Sequence, residues 1–354
     1  MGRGVRHARR SGPFLLSFSR KGGIHMRNYV FKRLVTALVT LALITLVVFF
    51  VIQLPPGDYV DQLVVNMVAE GEVVTEADIA LMRQMYGLDQ PFFVQYFHWL
   101  KGILSGDWGT SFNTHQKVLD VIGETLGATM MISLVTMAFT YLVSIPIAIY
   151  SAKHQYSVGD YIVTFIGFIG VAAPGFLVAI VLMYLSFVWF GTPMMGLFPE
   201  GGIRDWAGVG YFLSHLIIPI IVIGLNGTCG LIRSVRAQLL DEMSKPYILC
   251  ARAKGVSERT ITYKYMMRAV LNPIVSGLAG MIAKVFNGST ITAIVLMLLT
   301  QGPVLLTALK KQDVYLSGGI LLISAVLVVV GTLISDLLLG VLDPRIKVQE
   351  VGNK

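Results

Sequence analysis

Cys250-Ala251-Arg252-Ala253-Lys254-Gly255-Val256-Ser257-Glu258-Arg259 is a basic, helix-compatible island in a chain otherwise dominated by long apolar runs. Arg252 and Lys254 sit where cations favour the C-terminal end of a helix, and Gly255 follows at the position that most easily takes the left-handed conformation. Ser257 is then a good N-cap, with Glu258 as a first-turn acid, for a second helix running through Arg268 towards Asn272-Pro273. The whole polar stretch 233–273 therefore reads as an exposed helix–turn–helix held between two apolar segments.

Those segments set the class. Of 354 residues 55% are hydrophobic and only 14% charged, and the mean hydropathy is +0.72. A soluble globule of this size is excluded; an all-α, polytopic transmembrane helical bundle is expected. Six spans follow from the apolar runs: 34–54, 126–150, 161–190 interrupted by Pro174-Gly175, 212–232, 274–300 and 316–342. Residues 1–33 are a basic N-terminus without a signal-peptide apolar core. The part before Met26 reads as a start-site extension or as a basic tail resting on anionic membrane lipid.

Residues 55–125 form a polar-to-amphipathic insertion, 126–342 a transmembrane core containing the 233–273 loop, and 343–354 a short tail. In the insertion, Thr75 and Asp78 form a capping-box pattern opening a helix to Tyr86. Pro91 opens another, with Phe92, Phe93, Tyr96, Phe97 and Leu100 gathered towards one side. That stripe suits either the membrane interface and a cover over a translocation path, or plain packing on neighbouring spans.

The net charge of +8 invites a nucleic-acid reading, but its distribution answers otherwise. Twenty-one lysines and arginines fall in the N-terminus, the 151–160 link, the 233–273 loop and the tail, against six on the opposite side. By the positive-inside rule both termini and the main loop are cytoplasmic, and no nucleic-acid partner is implied. Cys229 and Cys250 suggest no disulfide, and six scattered histidines make no metal-ligand spacing.

Catalytic chemistry is equally lacking. His98, Ser105 and Asp107 lie close in sequence but belong to no nucleophile elbow, and no zinc-peptidase motif or Gly-Lys phosphate loop occurs. One ionisable group stands out. Lys284 lies about ten residues into the fifth span, roughly 15 Å at the helical rise. Gly280, Lys284, Asn287 and Gly288 share its face, with Ser289, Thr290 and Thr292 close by. Lys284 either lines a cavity or pairs at a subunit interface.

Ala251-Arg252-Ala253-Lys254-Gly255, with Pro273 after a polar helix and with Arg233 and Tyr247 upstream, resembles the coupling loop of ABC importer permeases of the peptide/nickel branch. The same resemblance covers Pro56-Gly57-Asp58, Tyr86-Gly87-Leu88-Asp89-Gln90-Pro91, Gly106-Asp107-Trp108-Gly109-Thr110-Ser111-Phe112, Asp336-Leu337-Leu338 and Leu342-Asp343-Pro344-Arg345-Ile346. It implies a type I importer permease in a bacterial inner membrane, paired with a second homologous permease, two cytoplasmic ATPase subunits and an extracytoplasmic solute-binding protein. ATP and Mg would be bound by the partners, with no cofactor on this chain, and Tyr247, Cys250, Ala251, Arg252, Ala253, Lys254, Gly255, Ser257 and Pro273 would form the docking element.

Lys284, Asn287 and Thr290 would line the path. Peptides are the implied cargo, oligosaccharide the second choice and nickel a weaker third. Leu249 and Cys250 stand where Arg and Thr are usual, and Asn272 replaces a leucine. Ala293 and Leu298-Leu299-Thr300 replace the branch's Glu and Trp-Pro-Gly. A membrane-embedded enzyme and a passive channel are the rival classes.

Overall fold

The computed structural model describes residues 18–199, 202, 205–271, 274, 275, 277 and 290–342. Among them there is no strand, only an isolated bridge between Thr110 and Lys117. Helix α1 spans Phe18–Ile52, and three short helices follow: α2 (Tyr59–Ala69), α3 (Glu76–Tyr86) and α4 (Phe92–Ser105). Helices α5 (Val118–Lys153), α6 (Val158–Ala172), α7 (Gly175–Phe190) and α8 (Trp206–Met243) build the centre. Next come α9 (Pro246–Ala253) and α10, which starts at Glu258–Thr260 and continues through a π-helical turn, Ile261–Met266. Helices α11 (Thr290–Val295), α12 (Gln301–Lys310) and α13 (Val314–Leu342) complete the described chain.

Among the described residues, four helices are long and apolar enough to cross a membrane, within α1, α5, α8 and α13; a fifth crossing results if α6 and α7 count as one. The interruption expected at Pro174-Gly175 in the 161–190 stretch is present, and it is a sharp one: α6 and α7 meet at an angle of 108°. Pro174 has no N–H to donate and forces Ala173 into an extended conformation (φ −72°, ψ 129°), so the ladder stops there. The fifth expected span, 274–300, lies mostly outside the described residues. Between 300 and 314 the chain forms the short helix α12, entered from extended Thr300.

Helices α5 and α8 form the most extensive pair. Alongside buried apolar residues, their seam carries a row of small and hydroxylated ones. Thr125, Thr129, Ser133, Thr136, Thr140 and Ser144 recur every three or four residues along α5, with Ser151 two turns further on, and all are buried. Gly224 answers from α8, where a Cβ would stand 3.3 Å from the Thr136 methyl. The Ser144 hydroxyl donates to the Thr228 carbonyl at 3.1 Å. Between helices in lipid, association relies on such close approach and on hydrogen bonds, because apolar area is not withdrawn from water there. Gly170 does the same for α6, since its missing Cβ leaves room for the Cys229 sulfur.

The insertion is tied down by aromatics and one buried acid. Thr75 and Asp78 do form the expected capping box on α3. Arg83 bridges Asp58 at 2.9 Å and Asp61 at 2.7 Å, joining α2 to α3. The Tyr59 hydroxyl donates to the Phe112 carbonyl at 2.6 Å. The Phe112 ring meets Tyr59, Tyr86 and Tyr315 with centroids 5.0, 5.0 and 5.2 Å away. Of the α4 stripe, Tyr96 packs with its neighbour Trp99 on Phe49 of α1, while Phe93 and Phe97 stay exposed. The stripe is thus part packing and part open face.

Asp313, fully buried, anchors the insertion to α13: it accepts from the Ser111 hydroxyl at 2.6 Å, the Asn113 N–H at 3.2 Å and the Leu316 N–H at 3.0 Å. Asp313→Ala strands these donors without an acceptor, and a loss of about 3 kcal/mol is expected. Thermal unfolding in detergent micelles checks it, and an unchanged midpoint would refute the anchoring role.

Candidate functional site

The 233–273 stretch separates into three parts. Residues 233–243 do not leave the bundle: α8 runs unbroken to Met243, with Val235 and Leu239 buried. Only from Lys245 onward does the chain turn into the separate helices α9 and α10. Pro246 occupies the first position of α9, where its missing N–H costs nothing. Gly255 takes φ +74° after α9, and the Val256 N–H returns to the Ala251 carbonyl at 3.1 Å. Ser257 caps α10 by accepting the Thr260 N–H. The turn expected at Gly255-Val256-Ser257 is present, and both helices form where the residues indicated.

The pair of short helices has an inner and an outer face. Ile248 and Ala251 of α9, Ile261 and Met266 of α10, and Met267 beyond them are buried in one cluster with Ala148, Ile149 and Ala152 of α5 and Ile232, Val235 and Leu239 of α8. The outer face presents Tyr247, Leu249, Cys250, Ala253, Lys254 and Gly255, all exposed. The expected exposure of the whole helix–turn–helix is therefore corrected: Ala251 faces inward. Apolar residues recurring at a spacing of three bury one side and leave the other free.

Three polar clamps fix this unit. Buried Glu242, in the last turn of α8, accepts from the Lys245 ammonium at 2.5 Å and from the Tyr247 hydroxyl. Burial and that carboxylate push the Tyr247 phenol up to about 12, so it remains a donor. Arg252 donates to Glu258 at 2.8 Å across the Gly255 turn, which holds the Glu258 carboxyl below the ordinary range.

Deeper, Arg236 of α8 grips Asp160 of α6 with two bonds, Nε to Oδ1 at 2.8 Å and Nη2 to Oδ2 at 2.7 Å. Ser151 of α5 donates to the same carboxylate, as does the Tyr156 N–H at 3.0 Å. Helices α5, α6 and α8 are thereby joined at the end that carries α9.

Pro273, Lys284 and Asn287 lie outside the described residues. Thr290 opens α11, and its Oγ1 lies 2.8 Å from where a Cβ on Gly302 would stand, in a contact with α12. At 298–300 a turn still forms: Met297 adopts φ +50° and the Leu298 N–H reaches the Ala293 carbonyl at 2.8 Å. Asp107 accepts from the Gly109 N–H at 3.1 Å, a local turn and not a triad. Among the described residues no cluster of His, Cys, Asp and Glu could hold a metal ion. Asp160, Arg236, Glu242 and Asp313 escaped the sequence reading. Only Asp160 carried a local signal, three residues after the N-cap Ser157.

Arg252→Ala cuts the link across the turn but touches nothing in the buried cluster. Hydrogen exchange of the 256–262 amides is expected to accelerate several-fold, with a thermal midpoint changed by less than about 0.5 kcal/mol equivalent. Unaltered exchange would show that Gly255 and the cluster alone set the turn.

Comparison with known proteins supplies the context. Residues 144–348 match the family described as binding-protein-dependent transport system inner membrane component. Residues 26–135 match the corresponding N-terminal family. The oligopeptide transport system permease protein AppB of Bacillus subtilis is 32% identical over 326 residues, covering 91% of this chain and all of that protein. The dipeptide transport system permease protein DppB of Lactococcus lactis is 28% identical, with 91% and 100% covered. DppB of Escherichia coli K12 is 27% identical over 342 residues, with 91% and 99% covered. These relatives are transport permeases and not enzymes, and the matches span both the insertion and the core. The chain belongs to the family of inner-membrane components of binding-protein-dependent transport systems.

Proposed function

We propose that this chain is a permease subunit of an ATP-driven importer for oligopeptides or dipeptides, coupled through α9 to cytoplasmic ATPases. It crosses a bacterial inner membrane six times, with both termini and the 233–273 loop on the cytoplasmic side, where lysine and arginine concentrate. A second homologous permease completes the path, a solute-binding protein delivers cargo to the 55–125 insertion, and ATP with Mg is bound and hydrolysed on two partner subunits. No cofactor is held by this chain. Lys284, Asn287 and Thr290 line the path, and Tyr247, Cys250, Arg252, Ala253, Lys254 and Gly255, backed by Ala251, Ser257 and Pro273, form the docking element.

The observation that carries this reading is the division of α9 into two faces. Its outer face leaves Tyr247 and Leu249 half exposed, which suits insertion into a groove on a partner. Its inner face is continuous with the cores of α5 and α8. A displacement of α9 by closing ATPases would therefore move both long helices as one body, the rigid-body shift that alternating access requires. The peptide class rests on the names of the relatives and on the ordered motifs shared with that branch.

The test is ATPase activity and uptake by the reconstituted transporter, comparing the intact chain with Gly255→Pro. Proline cannot adopt φ +74°, so α9 must reorient. Peptide-loaded binding protein is expected to stimulate ATPase activity in the intact complex, and the variant to lose at least tenfold of both stimulation and uptake. Stimulation by an oligosaccharide library in place of peptides would reassign the cargo. Indifference to the substitution would remove the coupling role.

A further inference from the structure

We infer that the cleft between α6 and α8 is a binding site for an anionic phospholipid, with Arg233 as its phosphate ligand. The cleft has a volume of about 220 Å³. Gly167, Phe168 and Val171 line it from α6, Cys229 and Ile232 from α8, and Arg233 stands at its edge. Its register is set by two fixed points. Arg236 holds Asp160 at one end, and the Asn226 side chain donates to the Val171 carbonyl at 3.3 Å at the other. Between Asn226 and Arg233 the walls run for about 10 Å along the helix, and apart from Thr164 and the two arginines the lining is apolar, the chemistry of an acyl chain.

The two arginines beside the cleft differ in state. Arg236 spends its guanidinium on Asp160 and Ser151. Arg233, one turn further into the apolar part of α8, is exposed and makes no hydrogen bond or ion pair among the described residues. An uncompensated guanidinium beside hydrocarbon is costly, and its planar fork of donors matches a phosphate oxygen pair.

The polar Ser157–Asp160 turn marks the edge of the apolar segment, so Arg233 lies within reach of headgroups at that edge. Basic pockets between spans at this depth select anionic headgroups. A zwitterionic lipid would bring its own cation towards Arg233 and Arg236. On α6, Tyr161, Ile162, Phe165, Ile166 and Ile169 are exposed on the face turned away from the cleft.

The experiment uses the complete transporter, delipidated in detergent and titrated with phosphatidylglycerol or phosphatidylcholine while bound lipid is counted by native mass spectrometry. Wild type is expected to retain phosphatidylglycerol in preference. Arg233→Gln should weaken that retention about fivefold and leave phosphatidylcholine unaffected, with Arg233→Lys restoring most of it.

Gly167→Leu should displace both lipids by filling the cleft, because a Cβ there meets nothing within 4 Å. Unchanged phosphatidylglycerol retention in Arg233→Gln or in Gly167→Leu overturns the site. So does loss of subunit association in Gly167→Leu, which would make the cleft a protein interface. Reduced peptide uptake in Arg233→Gln with lipid retention intact overturns it in favour of a cargo contact.

Discussion

The contact on which the structure depends is the seam between α5 and α8. Large apolar side chains take part in it, with Ile149 of α5 buried in one cluster with Ile232, Val235 and Leu239 of α8, but they do not make it alone. Hydroxyls at Thr129, Ser133, Thr140 and Ser144 satisfy themselves on nearby carbonyls or on each other, and Gly224 brings the backbones together. In lipid, leucine against leucine gains little over leucine against an acyl chain, so small residues and hydrogen bonds must select the partner. The seam is closed at one end by the Arg236–Asp160–Ser151 clamp. There a charge pair joins the Ser151 hydroxyl, at the end of the bundle that carries α9.

Beyond that clamp the same core continues into α9 and α10 without a gap. Ile248, Ala251, Ile261 and Met266 bury themselves on the ends of α5 and α8, so the short helices are an extension of the bundle and not a loose appendage. Rigidity at this point is a mechanical property. A force applied to the exposed side of α9 reaches α5 and α8 through packed side chains, with Glu242 and the Arg252–Glu258 pair limiting rotation. At the opposite end, the Phe112 aromatic hub and Asp313 hold the insertion to α13 in a similarly determinate way. A permease needs both ends held if movement at one is to be felt at the other.

Much of the local structure was legible because it depends on neighbours in sequence. Gly255 had to take a left-handed conformation, Ser257 and Thr75 had to cap, and Pro174 had to interrupt a helix, each for reasons contained within four residues. The angle at Pro174 was not legible: proline removes one hydrogen bond but does not say where α7 goes, and its packing against α8 and α11 decides that. Likewise the polar character of 233–243 suggested a departure from the bundle, while the tertiary fold buries Val235 and Leu239 and keeps α8 intact.

The sequence by itself determined the membrane class, the uneven sidedness of charge, the positions of caps and breaks and the order of the family motifs, since these follow from composition and short-range stereochemistry. Tertiary structure alone decided which face of α9 is buried, that Arg236 meets Asp160 across 76 residues, that Asp313 serves Ser111 across 202, and that Arg233 is left beside an apolar cleft. The reason is physical. A side chain's type limits the partners it can accept, but the energy of a buried charge or hydroxyl depends on distances that exist only once the helices have packed.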